Sequence, residues 1–323
     1  MNVDEAIDKA CADVGILPPK TVAPGRWLKT DTLSGRNGKG DGRVIVHEHC
    51  VTGMNWQTGE KSTVWLEDAK STVVRTKMRA SMQKQAADRK KLAARAAETA
   101  AKLIAAATLQ EHEYLAAKGF PAEKALVVDA AVVERIGGRY LLPDDGGRAI
   151  VIPCRAGGVI KSVQLIWGRG EKSFLYGGET SGTSHRIATG RDCWHCEGYA
   201  TGLSLRAAFQ AIRYAPTILC CFSASNVEKV AANAQGRPSI AADNDKPLEQ
   251  FGGVGAGEFF ARRASVPFLM PPAIGDDIND MHQRDGIFAV QRLIVDFLRD
   301  SRAIGTIRPA PMRFSAARRA TSE

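Results

Sequence analysis

Between residues 193 and 282 the chain alternates short apolar segments with segments of helical composition. The apolar segments are CWHCE, TILCCF, SIAAD and VPFLMP, and the segments between them are TGLSLRAAFQAI, VEKVAANA and GEFFARRA. Strands that alternate with helices form a parallel sheet, because each right-handed crossover returns the chain to the same edge. We therefore predict a Rossmann-like α/β domain over residues 191–300.

Acidic residues follow three of the four predicted strands. Glu197 ends the first strand, Asp243 and Asp245 end the third, and Asp277 and Asp280 follow the fourth. Functional groups of an open parallel sheet gather at the carboxyl ends of its strands. Crowded carboxylates repel one another unless a cation neutralises them, and oxygen ligands select a hard ion such as Mg²⁺ or Mn²⁺. Two such ions about 4 Å apart can hold the attacking and leaving oxygens of a phosphoryl transfer.

The first 68 residues are rich in glycine turns, with β-branched segments at residues 43–46 and 62–66. This pattern predicts a small β-rich module of hairpins. A module of this size is marginal without a metal. His47-x-His49-Cys50 lacks a second ligand pair nearby, so we do not expect zinc. We expect instead that Trp27, Trp56 and Trp65 are buried together.

Residues 69–118 are rich in Ala, Lys, Arg and Gln, and residues 78–107 contain no Gly or Pro, which predicts a long connecting helix. Its basic residues fit two interpretations, a solvated connector or an arm that contacts nucleic acid. Residues 119–190 contain strand-like segments at 149–154 and 159–167, which predict a mixed α/β subdomain in front of the parallel sheet. Residues 301–323 are expected to form a basic, flexible tail.

Charge and cysteine content limit the partners and the compartment. Lys and Arg exceed Asp and Glu by 44 to 35, which is typical of a protein with a polyanionic partner but also of simple solubility. No segment approaches the roughly 18 apolar residues of a membrane span, and the N-terminus has no apolar signal core. The seven scattered cysteines favour a reduced cytoplasm, and the pair Cys193-x-x-Cys196 lies within a predicted strand, where buried structural thiols are expected.

Several motifs resemble the Toprim primases of conjugative plasmids and related phages. Glu197-Gly198-Tyr199-Ala200-Thr201 followed by a helix, and then Asp243-Asn244-Asp245, is similar to the Toprim signature of primases, topoisomerases and some nucleases. The wider resemblance lies in His112-x-Tyr114-Leu115-x-x-Lys118-Gly119, Ile152-Pro153-x-Arg155, Gln164-Leu165-Ile166, Lys172-Ser173-Phe174-Leu175, Gly275-Asp276-Asp277-Ile278-Asn279-Asp280-Met281-His282 and Gly40-Asp41-Gly42 … Trp56-x-Thr58-Gly59.

The resemblance implies roles for specific residues. It assigns catalysis and metal binding to Glu197, Asp243 and Asp245, with Asp277 and Asp280 near a second metal. It places Lys172 at the nucleotide or template phosphate. It also places Ser225 and Asn226 in the loop beside the acids, as further residues that bind nucleotide or template. Weaker candidates for a basic ridge that grips template and nucleoside triphosphate are Arg148, Arg155 and Lys161. In the N-terminal module, template DNA would be held by Arg26, Lys29, Arg36, Lys39 and Arg43.

The function implied is Mg²⁺-dependent synthesis of short RNA primers on single-stranded DNA in a bacterial cytoplasm, in plasmid or phage replication. A Toprim nuclease would use the same acids, with water in place of the 3′-hydroxyl. A third alternative is a catalytically silent single-stranded-DNA-binding protein. The pattern Gly-x-x-x-x-Gly-Lys-Ser/Thr is absent, so we expect a separate helicase to open the template. Gly253-x-Gly255-x-Gly257 is interpreted as a packing element and not as a dinucleotide loop.

Overall fold

The computed structural model describes residues 1–33, 40–66 and 72–303, and only the backbone of residues 72–82 and 301–303. The helices are α1 (Val3–Asp13), α2 (Thr72–Ala106), α3 (Glu113–Ala117), α4 (Ala130–Gly137), α5 (Tyr199–Ala211), α6 (Ala224–Ala232), α7 (Ala256–Ala264), α8 (Ile278–Asp285) and α9 (Ile287–Ala303). The strands are β1 (Trp27–Thr30), β2 (Gly42–Val46), β3 (Cys50–Asn55), β4 (Lys61–Trp65), β5 (Thr108–Gln110), β6 (Ala125–Asp129), β7 (Arg148–Ala156), β8 (Val159–Trp167), β9 (Lys172–Phe174), β10 (His185–Ala188), β11 (Cys193–Cys196), β12 (Thr217–Cys220), β13 (Pro238–Ala241) and β14 (Phe268–Leu269).

The N-terminal module is a four-stranded antiparallel sheet, β1-β2-β3-β4, with α1 packed on one face. A capping box between Asn2 and Glu5 starts α1 and satisfies amides that the first helical turn leaves free. The apolar side of α1 meets valines of β2, β3 and β4, and a Cβ on Gly53 would lie 2.5 Å from the Ala10 carbonyl oxygen. The predicted β-rich module is confirmed, and its core is aliphatic.

The prediction that three tryptophans form this core is wrong. Trp27, Trp56 and Trp65 are 48%, 60% and 54% exposed. Neighbouring residues of a strand face opposite sides of the sheet. Helix α1 covers the side of Val44, Val51 and Val64, so the tryptophans of β1 and β4 lie on the other side.

The long helix α2 supports the second sheet. Ala96, Ala100 and Leu103, at helical spacing, are buried in the core beneath β7 and β8. Residues 83–91 of the same helix are exposed and include Lys84, Arg89, Lys90 and Lys91. The C-terminal part of α2 is therefore a structural support, and its basic residues lie mainly on the exposed part.

The second sheet is antiparallel, in the order β5-β6-β7-β8-β9. The third sheet has the order β10-β12-β11-β13-β14, with β12, β11, β13 and β14 parallel and β10 antiparallel at the edge. Side chains of both sheets share one core with α5, α8 and α9, whereas α6 and α7 cover the opposite face of the parallel sheet. The predicted parallel α/β core, mixed subdomain and connecting helix are confirmed.

Two further features of the chain bear on the predictions. Of the helices described, none is long and apolar enough to cross a membrane. Residues 304–323, in the predicted basic tail, lie outside the described part of the chain.

Cys196 is fully buried as expected, but Cys193 is half-buried, so the prediction of two buried thiols is correct only for Cys196.

Candidate active site

The parallel register brings the predicted acids to one edge of the sheet. Cys196, at the end of β11, pairs with Cys220 of β12 on one side and with Ala241 of β13 on the other. Glu197 follows Cys196 directly, and Asp243 lies two residues beyond Ala241. The carboxyl ends of these strands therefore place Glu197 between the start of α6 and the loop that carries Asp243 and Asp245.

Glu197 is surrounded by features that oppose and favour its charge. Burial, followed by the charge of Asp245, raises the pKa of its carboxyl from 4.5 to about 7. The Lys172 ammonium and a hydrogen bond from the backbone amide of Ala224 act in the opposite direction. Ala224 is the first residue of α6, so this amide belongs to a helix N-terminus, which favours an anion.

Asp243 lies in a still less favourable position for a charge. Burial raises the pKa of its carboxyl well above the usual value, and the charges of Glu197, Asp277 and Asp245 raise it further. Its Oδ1 atom is buried and has no hydrogen-bond partner among the described residues. A buried, unpartnered carboxylate oxygen costs free energy unless a proton or a cation meets it.

Asp245 is held by the glycine segment that follows it. Its Oδ2 accepts a hydrogen bond from the Gly257 amide at 2.8 Å. A Cβ on Gly255 would lie 2.3 Å from the Asp245 carbonyl oxygen, and one on Gly257 would lie 2.2 Å from that of Asp243. Only glycine permits this approach, so the geometry supports the interpretation of Gly253-x-Gly255-x-Gly257 as a packing element.

Asp277 and Asp280 form the capping box of α8. Asp277 accepts hydrogen bonds from the amides of Asn279 and Asp280, at 2.6 and 2.9 Å, and Asp280 accepts one from the Asp277 amide at 3.2 Å. The charge of Asp277 acts on both Glu197 and Asp243. Asp280 lies 3.6 Å from Lys118. The structure thus places Asp277 near the acids and turns Asp280 toward a lysine.

The carboxylate oxygens of the acid cluster are the type of ligand that a divalent cation prefers, although they are not arranged as a complete coordination shell. Glu197, Asp243, Asp245 and Asp277 offer oxygens only, which suits Mg²⁺ or Mn²⁺. The bare Oδ1 of Asp243 is the observation that favours a cation most directly. In the described part of the chain, no three Asp, Glu, His or Cys side chains converge into a metal-binding group. The side chains would have to rotate toward an ion for it to bind.

Among the predicted basic residues, Lys172 is the one whose charge acts on the acids. It is exposed at the start of β9, and its charge lowers the pKa of both Glu197 and Asp243. Phe174 of β9 contacts Phe222, which follows β12, with ring centroids 6.1 Å apart. This contact fixes the edge of the second sheet beside the acid cluster.

The other predicted basic residues are engaged elsewhere. Arg148 pairs with Glu113 at 2.8 Å, and Lys161 pairs with Glu179 at 3.4 Å. Arg155 lies beside His185, where its charge adds to burial in lowering the pKa of that histidine to about 4. That these three side chains together grip template and nucleotide stays a prediction.

Ser225 and Asn226 lie at the start of α6, as predicted, but Asn226 has a structural environment. It is 5% exposed, and its Nδ2 donates to the carbonyls of Thr183 and Cys221 at 2.8 and 2.7 Å. Its Oδ1 accepts from the Gly182 amide at 2.6 Å. These bonds hold Asn226 in position in the loop beside the acids, and its contact with nucleotide or template stays a prediction.

In the N-terminal module, the predicted basic residues differ in availability. Arg26 and Lys29 are exposed, while Arg43 donates to the carbonyl oxygens of Gly40 and Gly42, the latter at 2.9 Å. Arg36 and Lys39 lie outside the described residues.

A buried polar network behind the acids was not predicted. Asn279 donates from Nδ2 to Ser204 Oγ at 3.0 Å and to the Lys118 carbonyl at 2.9 Å, and Ser204 Oγ is hydrogen-bonded to His282 Nδ1 at 3.0 Å. These contacts join α8 to α5 and to the end of α3. Ser204 is 75 positions from Asn279 and 78 from His282 along the chain, so local sequence patterns do not predict these contacts.

Residues 193–287 match the Toprim domain family, a range that includes Glu197, Asp243, Asp245, Asp277 and Asp280. This match confirms, for that segment, the resemblance inferred from the sequence. The chain is also similar to a chain of the structure of bacteriophage T7 lagging-strand DNA polymerase interacting with primase domains bound to an RNA/DNA hybrid and dTTP. That similarity has 17% identity and a TM-score of 0.34, over 47% of this chain and 77% of that one. The primase fragment of the bacteriophage T7 primase-helicase protein gives 18% identity and a TM-score of 0.33, over 47% of this chain and 62% of that one.

Proposed function

We propose, from the premise that residues 193–287 are a Toprim domain, that this chain is a DNA primase. It would join nucleotides into a short RNA primer on single-stranded DNA, with Mg²⁺ or Mn²⁺ held by Glu197, Asp243 and Asp245. The setting we propose is plasmid or phage replication in the bacterial cytoplasm. A helicase is the partner that we propose to supply the single strand.

One observation carries the proposal. The unpartnered Oδ1 of Asp243 lies in an acid cluster at the carboxyl edge of the Toprim sheet, where burial and the neighbouring carboxylates raise the pKa of Glu197 and Asp243. A fold that keeps such repulsion gains nothing in stability from it. The cluster is best explained as a site completed by a cation and an anionic substrate.

The chemistry follows from the residues that surround the acids. Bound Mg²⁺ would polarise the α-phosphate and stabilise the attacking and leaving oxygens. Glu197 and Asp243 would hold the primer 3′-hydroxyl end in position, and the exposed Lys172 ammonium would meet the triphosphate of the incoming nucleotide. The 3′-hydroxyl releases its proton to the surrounding water, and its oxygen forms a bond to the α-phosphorus. The bond from that phosphorus to the bridging oxygen of the β-phosphate breaks, and pyrophosphate leaves. Asp277, fixed by the cap of α8, would orient the cluster.

A gel assay tests the proposal. The purified full chain is incubated with single-stranded DNA, Mg²⁺ and labelled nucleoside triphosphates, and the products are resolved by length. We expect short labelled products that depend on template and on Mg²⁺ and that Asp243→Ala abolishes. Shortening of a labelled template without new product would identify a nuclease instead. Template binding with neither product nor cleavage would identify a silent DNA-binding protein.

A further inference from the structure

The face of the N-terminal sheet opposite α1 carries an unusual set of side chains. Cross-strand partners share a face, and alternate residues along a strand share it too. Because the valines at 44, 51 and 64 face α1, the opposite face presents the side chains of Trp27, Lys29, Arg43, Ile45, Cys50, Thr52, Met54, Lys61, Thr63 and Trp65.

Exposure on this face follows a clear pattern. Its middle is closed, since Ile45, Cys50 and Thr52 are at most 6% exposed. Its two outer strands are open, with Trp27 on β1 and Trp65 on β4 each about half exposed. Strands lie about 4.8 Å apart, so the two tryptophans are on edges about 14 Å apart. Helix α1 packs against β2, β3 and β4 on the other side of the sheet.

Positive charge crosses the same face. Lys29 pairs with Arg43, Arg43 with Met54, and Met54 with Lys61, so three cations and one thioether form a single row across all four strands. Glu48 and Glu60 lie outside this row, in the connections between strands. A row of cations beside exposed indole rings complements a polyanion that carries flat aromatic groups.

The module also lies near the acid cluster. Gln57, which follows Trp56, donates a hydrogen bond from Nε2 to Asp41 Oδ2. Its Oε1 accepts a hydrogen bond from Nε2 of Gln250. Gln250 is five residues beyond Asp245. The connection between β3 and β4 therefore contacts the segment that follows Asp245.

We propose that this sheet face binds single-stranded DNA, with bases stacked on Trp27 and Trp65 and phosphates along Lys29, Arg43 and Lys61. The identification of the strand as template DNA rests on the proposed function; the contact itself needs no metal and no catalysis. Stacking on an aromatic ring is tolerant of sequence, because every base has a flat face. The face would thus hold template without selecting a start sequence.

Binding in EDTA, without nucleotides, separates this contact from catalysis. A fluorescein-labelled oligothymidylate is titrated with the full chain and followed by anisotropy. Trp27→Ala and Trp65→Ala should each weaken binding about ten-fold, and Trp27→Phe should restore most of the loss. Lys29→Ala and Lys61→Ala should each lower the salt dependence by about 0.7 in log–log slope. Phe288→Ala, which removes a 76% exposed ring on α9, is the control and should bind normally.

A second readout uses the protein's own fluorescence. Trp167 and Trp194 are each 1% exposed, so acrylamide quenching reports mainly on the other three tryptophans. We expect unlabelled oligothymidylate to protect Trp27 and Trp65 from acrylamide and so to reduce the quenching. Normal binding by Trp27→Ala and Trp65→Ala would overturn the inference, even if the chain makes primers. A change of oligomeric state in these variants would overturn it in favour of a second copy of the chain. Binding through the tryptophans without primer synthesis would overturn only the proposed reaction.

Discussion

Ser204 Oγ lies 3.0 Å from His282 Nδ1, and this contact joins the helix after Glu197 to the helix after Asp277. Both helices begin with residues of the acid cluster or directly beside it. The hydrogen bond, with Asn279 next to it, therefore sets the distance between the two acidic segments.

Loss of Asn279 should loosen that junction. The side chain is fully buried and donates to Ser204 and Lys118, so Asn279→Ala leaves buried acceptors without a donor. We expect the free energy of unfolding to fall by about 1–3 kcal/mol. Primer synthesis should fall in kcat more than in KM for nucleotide, because Asn279 positions the acids and does not touch substrate. Gln283→Ala serves as the control, because it removes only an exposed side chain that donates to Asn279 Oδ1. Equal effects of the two variants would contradict the positioning role of Asn279.

A methyl group at Gly257 should displace the acid loop. Its Cβ would lie 2.2 Å from the Asp243 carbonyl oxygen, so Gly257→Ala should cost about 2 kcal/mol or more of stability and abolish synthesis. Gly253→Ala, in the same loop, meets no atom within 4 Å and bears only the strain of its positive φ, about 1 kcal/mol. Denaturant titration and the gel assay measure both effects. A Gly257→Ala protein that remained stable and active would show that the loop moves freely.

Mg²⁺ should stabilise the wild-type chain through the acid cluster. A ligand that binds only the folded state raises Tm, and the bare oxygen of Asp243 is where we expect the ion. Asp243→Asn should raise the Tm of the metal-free protein slightly, since it removes a repelled carboxyl, and should abolish the Mg²⁺-dependent increase. Asp280→Asn, which alters an acid turned toward Lys118, should keep most of that increase. Thermal melts with and without MgCl₂ decide this, and an unchanged response of Asp243→Asn would remove Asp243 from the site.

The charge of Lys172 should affect the KM for nucleoside triphosphate and have little effect on the stability of the fold. Lys172 is exposed and acts on Glu197 and Asp243, so Lys172→Ala should raise KM for nucleoside triphosphate about ten-fold or more with little change in stability. Lys172→Arg should recover part of the loss. Lys161→Ala removes a lysine of the same sheet that is paired with Glu179, and we expect it to change KM little. Steady-state kinetics at varied nucleotide concentration compare the three variants.

His185 should make the fold sensitive to acid. Burial and the nearby charge of Arg155 lower the pKa of its imidazole from 6.5 to about 4, so the unfolded chain binds a proton at a higher pH than the folded one. Its contribution is complete above pH 6.5 and is lost as the pH falls toward 4, on the order of 1–3 kcal/mol. His185→Gln should flatten the dependence of unfolding free energy on pH over this window. An equally steep dependence in the variant would assign the acid sensitivity to other groups.

The acid cluster could be predicted because its determinants are local. Alternating strand and helix composition fixes a parallel sheet, and the residue after each strand then falls at its carboxyl edge, which is how Glu197, Asp243 and Asp245 were found. Ala224 could not be found this way, because its contribution is a backbone amide and any residue would supply it. Ser204, Asn279 and His282 meet only through packing of distant helices.

The tryptophans of the N-terminal module show a different limit. Large aromatic residues in a small module favour a buried cluster, but α1 already covers one face of the sheet with Ile7, Ala10 and Cys11. The signal for α1 was present in the sequence, as Asn2 and Glu5 at capping-box spacing before apolar residues at helical spacing. Once α1 is in place, alternation along β1 and β4 sends Trp27 and Trp65 to the other face.

Helix α2 lies between the N-terminal sheet and the Toprim domain in the chain, so the two belong to the same molecule. Its 35 residues extend about 50 Å, and it ties the N-terminal sheet covalently to the Toprim domain. The local concentration of one relative to the other is therefore set by the geometry of this link and not by the concentration of the protein. Initiation on a template held by the sheet should then proceed at a rate per molecule that does not change on dilution of the protein.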